Sequence, residues 1–161
     1  MVVTIPMTNH VTTALSAAAL VLGLSACSGH AVSKPAAADI TIEGHKHTIT
    51  SGIECETESA NPNATPPQSG SRTTHITASD GAAEELLSLS DTTPLGVNGF
   101  SVTVTVDADV YRIPYQPLES SSKVQATKAG KSYTVTGSGK GSEPNVTGMR
   151  DLHFEVRVTC P

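Results

Sequence analysis

Three sulfurs carry the most distinctive chemistry in this sequence: Cys27, Cys55 and Cys160. Other candidates are weaker. Glu43, His45 and His47 have i, i+2, i+4 spacing, which on one strand puts three zinc-type ligands on one face. Gly44 and Lys46 between them favour a turn, which breaks the shared face, so a solvated hairpin is the expected reading. Glu54, Glu56 and Glu58 form an acidic row that suits weak Ca²⁺ binding or, more plainly, a charged outer face. Gly137-Ser138-Gly139-Lys140 superficially resembles a phosphate loop, but it lacks the P-loop spacing and no helix follows to receive a phosphate. No nucleophile elbow singles out a serine for Ser/His/Asp catalysis. Asn63-Ala64-Thr65 and Asn145-Val146-Thr147 match the N-glycosylation pattern, a three-residue motif too short to carry weight alone.

Cys27 closes an apolar run. From Val11 to Ala26 no side chain is charged, and Ala14 to Leu24 form an apolar core of signal-peptide length. That is too short for a hydrocarbon span, which needs about 20 apolar residues. The small residues Ser25 and Ala26 suit a signal peptidase cutting before Cys27. Leu24-Ser25-Ala26-Cys27 has the pattern of a bacterial lipobox, whose cysteine takes a thioether-linked diacylglyceryl group and becomes the mature N-terminus. A thiol at the cut edge supplies the nucleophile for that transfer. The expected division is therefore 1–26 as lipoprotein signal peptide, 27–38 as acylated cysteine and tether, and 39–161 as one β-rich domain. The n-region, Met1 to His10, carries no Lys or Arg, and Met7 is an alternative start.

Composition bounds the rest. All ten Lys+Arg and all fifteen Asp+Glu follow Cys27, for a net charge of −5. No basic patch is present, which argues against nucleic acid and against electrostatic binding to anionic lipid heads. Thr, Ser, Gly and Val dominate, which favours strands and turns. With Cys27 acylated, Cys55 and Cys160 remain. A disulfide is the simplest fate of an even pair in an exported protein, and two buried free thiols are the alternative. A bridge here closes about 100 residues, for which chain entropy gives on the order of 4–5 kcal/mol.

The elements that must position these groups are mostly strands. Ile40 and Ile42 alternate with Thr41 and Glu43, and Gly44-His45-Lys46 offers a turn. Ile49, Ile53 and Cys55 share one face. Leu152, Phe154, Val156, Val158 and Cys160 share one face of the last strand. Strand parity thus puts Cys55 and Cys160 each on a core face. Asn61 to Ser71 reads as an exposed loop, and Arg72 to Ala78 as a strand. Ser79-Asp80 offers an N-cap to a short helix, Gly81 to Leu89, whose Ala82, Ala83, Leu86 and Leu87 form an apolar stripe. Val97-Asn98-Gly99 reads as a turn, Phe100 to Val106 as a strand, and Asp107-Ala108-Asp109 as another turn. Pro114 and Pro117 should interrupt regular pairing, and Tyr111, Ile113 and Tyr115 should cover a sheet edge. Lys128 to Lys131 joins a hairpin, and Gly137 to Gly148 reads as a Gly/Ser loop. The expected fold is mainly β (α+β): an antiparallel sheet or sandwich of about seven or eight strands, disulfide-closed, with one short helix packed on it.

Several stretches together resemble the mycobacterial LpqH-type lipoprotein antigens: Ile40-Thr41-Ile42-Glu43-Gly44, the strand ending at Cys55, Ala126 to Gly130 running into Tyr133 to Gly137, and Phe154 to Cys160. The likeness covers most of Cys27 to Pro161. It implies acylation at Cys27, a Cys55–Cys160 disulfide, a cell-envelope location, and recognition of the acylated cysteine by host innate-immune receptors. It brings no catalytic residues. Two features depart from the pattern. The tether has only Ser28 and Ser33 as hydroxyl residues, where the family often has a Thr-rich glycosylated segment, and Asn61–Ser71 looks inserted.

The function expected is a non-enzymatic surface lipoprotein, anchored by acyl chains on Cys27 to the outer face of the plasma membrane or the envelope. Its role is as an antigen, an adhesin or a structural component. No cofactor or metal is expected. The alternative is a carrier binding a lipid or small apolar ligand in a cavity lidded by the Gly81–Leu89 helix.

Overall fold

The computed structural model describes residues 35–117 and 124–161. The candidate signal segment, Cys27 and most of the tether lie outside the described residues. Ten strands form two five-stranded antiparallel sheets. They are β1 (Ala37–Ile42), β2 (His45–Ile49), β3 (Ile53–Ser59), β4 (Arg72–Ser79), β5 (Ala83–Ser90), β6 (Gly96–Val106), β7 (Asp109–Pro117), β8 (Val124–Ala129), β9 (Ser132–Gly141) and β10 (Arg150–Thr159). The first sheet has the order β2-β1-β10-β9-β8 and the second β3-β4-β5-β6-β7. The expected β class is present, with ten strands in place of seven or eight and no helix among the described residues.

Alternation builds the core. Ile40, Ile42, Val135, Leu152, Phe154 and Val156 face inward from the first sheet. Ile76, Leu87, Phe100, Val102, Val104 and Ile113 face inward from the second. The Phe100 and Phe154 rings stack across the interior with centroids 4.7 Å apart. Backbone pairing between Arg112 of β7 and Ser142, just beyond β9, links the two sheets at one corner (2.8 and 2.9 Å).

The expected helix is the central strand β5. Ala82, Ala83, Leu86 and Leu87 fit a helical stripe, but Ala83, Glu85, Leu87 and Leu89 also fit strand parity, and all four of these point inward. Pairing on both sides, with β4 and β6, decides between the two periods. The Asp80 side chain does accept from the amides of Ala82 (2.8 Å) and Ala83 (2.9 Å). Capping chemistry is there, but it holds a turn between strands.

The stretch from Ile49 to Cys55 also divides. Gly52, at φ +69, lets the chain leave the first sheet and enter the second, so Ile49 and Cys55 belong to different sheets. The first turn is Glu43-Gly44, with His45 and Lys46 already in β2. Both turn residues have positive φ (48° and 86°), as a two-residue type I′ hairpin requires.

The expected loop from Gly137 to Gly148 is half strand. β9 runs to Gly141, and Gly137, Gly139 and Gly141 sit opposite Phe154, Leu152 and Arg150. A side chain at Gly139 would stand 2.8 Å from Ile113 and 3.0 Å from Phe100. The glycines therefore make room for bulky side chains from the facing sheet.

Candidate functional site

The described part of the chain concentrates its covalent chemistry in one bond. Cys55 and Cys160 are joined as a disulfide, with Cα atoms 5.9 Å apart. Cys55 lies on the edge strand β3 of the second sheet, and Cys160 directly follows the middle strand β10 of the first. The bridge ties sheet to sheet.

The sequence candidates for metal binding are held apart. Among the described residues no group of three His, Cys, Asp or Glu side chains is placed to hold a metal ion. The Glu43 carboxylate accepts from the His153 amide (2.6 Å), and His153 returns its carbonyl to the Glu43 amide (3.0 Å). His45 stacks on Tyr111 at 4.1 Å, and His47 pairs with Asp80 at 2.7 Å. His45 and His47 thus connect edge strand β2 to the second sheet. The bond to His47, followed by the backbone amides of the turn, holds the Asp80 carboxyl below its ordinary value. Of the acidic row, Glu58 pairs with His75 (3.2 Å). Tyr111, Ile113 and Tyr115, expected to cover a sheet edge, lie on the edge strand β7, where Ile113 is buried and Tyr111 half-buried but Tyr115 is exposed. Pro114 and Tyr115 together oppose Ser101, a bulge that reverses parity and turns Tyr115 outward.

Two features escaped the sequence. The first is Glu85, which points inward between its register partners Ala78 and Val102. It is 1% exposed, neither carboxylate oxygen has a hydrogen-bond partner, and burial pushes its pKa up to about 8. Only its inward parity in β5 could have exposed it, and the helical reading hid that parity. The second is a cavity of about 280 Å³ between the Asn61–Ser71 loop and the outer face of the second sheet. A wider groove of about 570 Å³ on the outer face of the first sheet is open, and the two carboxylates that border it, Glu43 and Glu155, are already engaged, by the His153 amide and by Arg157.

The family profile of the Mycobacterium 19 kDa lipoprotein antigen matches residues 31–160. The chain belongs to this family. Two chains of Mycobacterium tuberculosis, from strains CDC 1551 / Oshkosh and ATCC 25618 / H37Rv, are each named "Putative lipoprotein LppO". They are 48% identical to this one over 157 residues, covering 92% of this chain and 92% of theirs. Membership in a lipoprotein family makes this an exported, lipid-anchored protein of the cell envelope. The carrier alternative fails in the form the sequence suggested, because the segment assigned as its lid is a central strand.

Proposed function

We propose that this protein is a non-enzymatic surface lipoprotein whose acylated Cys27 holds a rigid β sandwich against the outer face of the plasma membrane. Residues 1–26 are removed as a signal peptide by cleavage between Ala26 and Cys27, and Cys27 then carries the diacylglyceryl thioether, with or without a further acyl chain on its new amino group. Two or three chains suit durable anchoring, since one chain alone binds a membrane only marginally. The observation that carries the reading is the juxtaposition of the lipobox with family membership over residues 31–160. The first strand begins at Ala37, ten residues after Cys27, so the tether spans at most about 35 Å. The sandwich is therefore displayed close to the bilayer, and the acylated N-terminus is the part a host innate-immune receptor reads. The domain itself serves as antigen, adhesin or structural partner within the envelope. Expression of Cys27→Ala tests the anchor: the variant should appear in the medium, and its retention in the membrane fraction would contradict the reading.

A further inference from the structure

The outer face of the second sheet should be solvated, yet four polar residues on it are buried: Thr73, Ser88, Ser90 and Asn98. The Asn61–Ser71 loop covers them and is fixed in place. Asp91 accepts from the amides of Ser71 (2.7 Å) and Arg72 (3.1 Å), Ser69 bonds Ser90 (3.0 Å), and Gln68 accepts from the Asn61 amide (2.7 Å). Beneath this roof His75, Ser88 and Gly99 lie side by side on neighbouring strands. Small side chains at the second and third positions leave a trough between the histidine and the edge strand.

Two bulges aim side chains at that trough. Asn98 is the extra residue where Ser88 and Leu89 pair with Gly99 and Val97. Tyr115 belongs to the bulge in β7, and its ring lies over Gly99, where a side chain would meet the ring carbon Cζ at 2.7 Å. Bulges cost ladder bonds and recur beside functional sites, where they re-aim a side chain. Asn98 is 7% exposed; its Oδ1 accepts from Ser69 (3.4 Å), and its Nδ2 has no partner. A buried amide nitrogen without an acceptor implies an oxygen that the protein does not supply.

We propose that this cavity is a binding site for a single neutral sugar ring. The lining includes no Lys, Arg, Asp or Glu, which disfavours phosphate, carboxylate and metal ions. What it offers instead is neutral hydrogen-bonding groups (Asn98, Ser88, Gln68) beside a half-exposed tyrosine and Leu86. A sugar ring presents hydroxyl and ring oxygens to the first set and an apolar C–H face to the second. The volume of about 280 Å³ is at the lower end for small-molecule sites and suits one ring.

Saturation-transfer NMR on the purified, oxidised protein tests this with the methyl glycosides of mannose, glucose, galactose and arabinose. At least one should bind with Kd in the range of about 1 mM. Tyr115→Ala should weaken it about tenfold or more, and Gly99→Ala, which displaces the ring, should do the same. Tyr115 is half exposed, so its variant should fold; Tyr115→Leu substitutes should Tyr115→Ala melt at markedly lower temperature. Absence of transfer from all four glycosides, meaning a cavity that holds water only, would overturn the proposal, as would binding that these variants leave unchanged. Octyl glucoside separates the sources. Affinity equal to that of methyl glucoside assigns recognition to the ring, whether on a polysaccharide or a glycolipid. Binding of octyl glucoside alone assigns it to the alkyl chain and also overturns the proposal.

Discussion

Cys55 and Cys160 join an edge strand of one sheet to the end of the middle strand of the other, across 105 residues of chain. Closing so long a loop restricts the unfolded chain strongly, a chain-entropy effect of about 4–5 kcal/mol. The double substitution Cys55→Ser with Cys160→Ser should lower unfolding free energy by roughly that amount, read by chemical denaturation. Reduction of the intact protein should lower its thermal midpoint in parallel.

Glu85 should make stability fall as pH rises. The unfolded carboxyl loses its proton near 4.5, whereas the buried one keeps it to about 8. Between those values the unfolded state binds fewer protons, so the native state weakens with increasing pH until the folded group also ionises. From pH 5 to pH 7 the loss is about 3 kcal/mol. Glu85→Gln should flatten this slope, and Glu85→Leu should raise stability at pH 7 by placing an apolar group among Ala78, Val102 and the facing sheet. Equal slopes in wild type and Glu85→Gln would contradict the assignment.

Gly139 is a packing residue within a strand. A methyl group there would crowd Ile113 and Phe100, and the Phe100–Phe154 stack behind them leaves little room to relax. Gly139→Val should cost about 1–3 kcal/mol. Gly130→Ala, a site with open space but φ +61, isolates the backbone contribution, because its cost would come from the left-handed conformation alone.

Much of the fold was legible in the sequence because one-sided burial imposes a period of two. The terminal strand, the Phe100–Val106 strand and the inward parity of both disulfide cysteines follow from that alone. Three stretches were not legible, each for a definite reason. Ala83–Leu89 satisfies two periods at once, and only its neighbours β4 and β6 choose between them. Gly137–Gly141 has the composition of a loop because the volume above it is filled from the other sheet. Asn98-Gly99 carries a turn signal that the chain uses for a bulge. The outer cavity depends on that bulge, on the parity reversal at Tyr115 and on a loop folded back over the sheet, none of which leaves a local pattern. Cys27 is the reverse case: the chemistry proposed for it rests wholly on the linear sequence.

Acylation of Cys27 is tested directly by the intact mass of the protein extracted from membranes with detergent. Acylation at Cys27 predicts a polypeptide beginning at that residue, heavier than its amino acids by a diacylglyceryl group with or without a further acyl chain, and lighter by two hydrogen atoms for the Cys55–Cys160 bond. A chain that retains residues before Cys27, or one that begins there with an unmodified thiol, would contradict it.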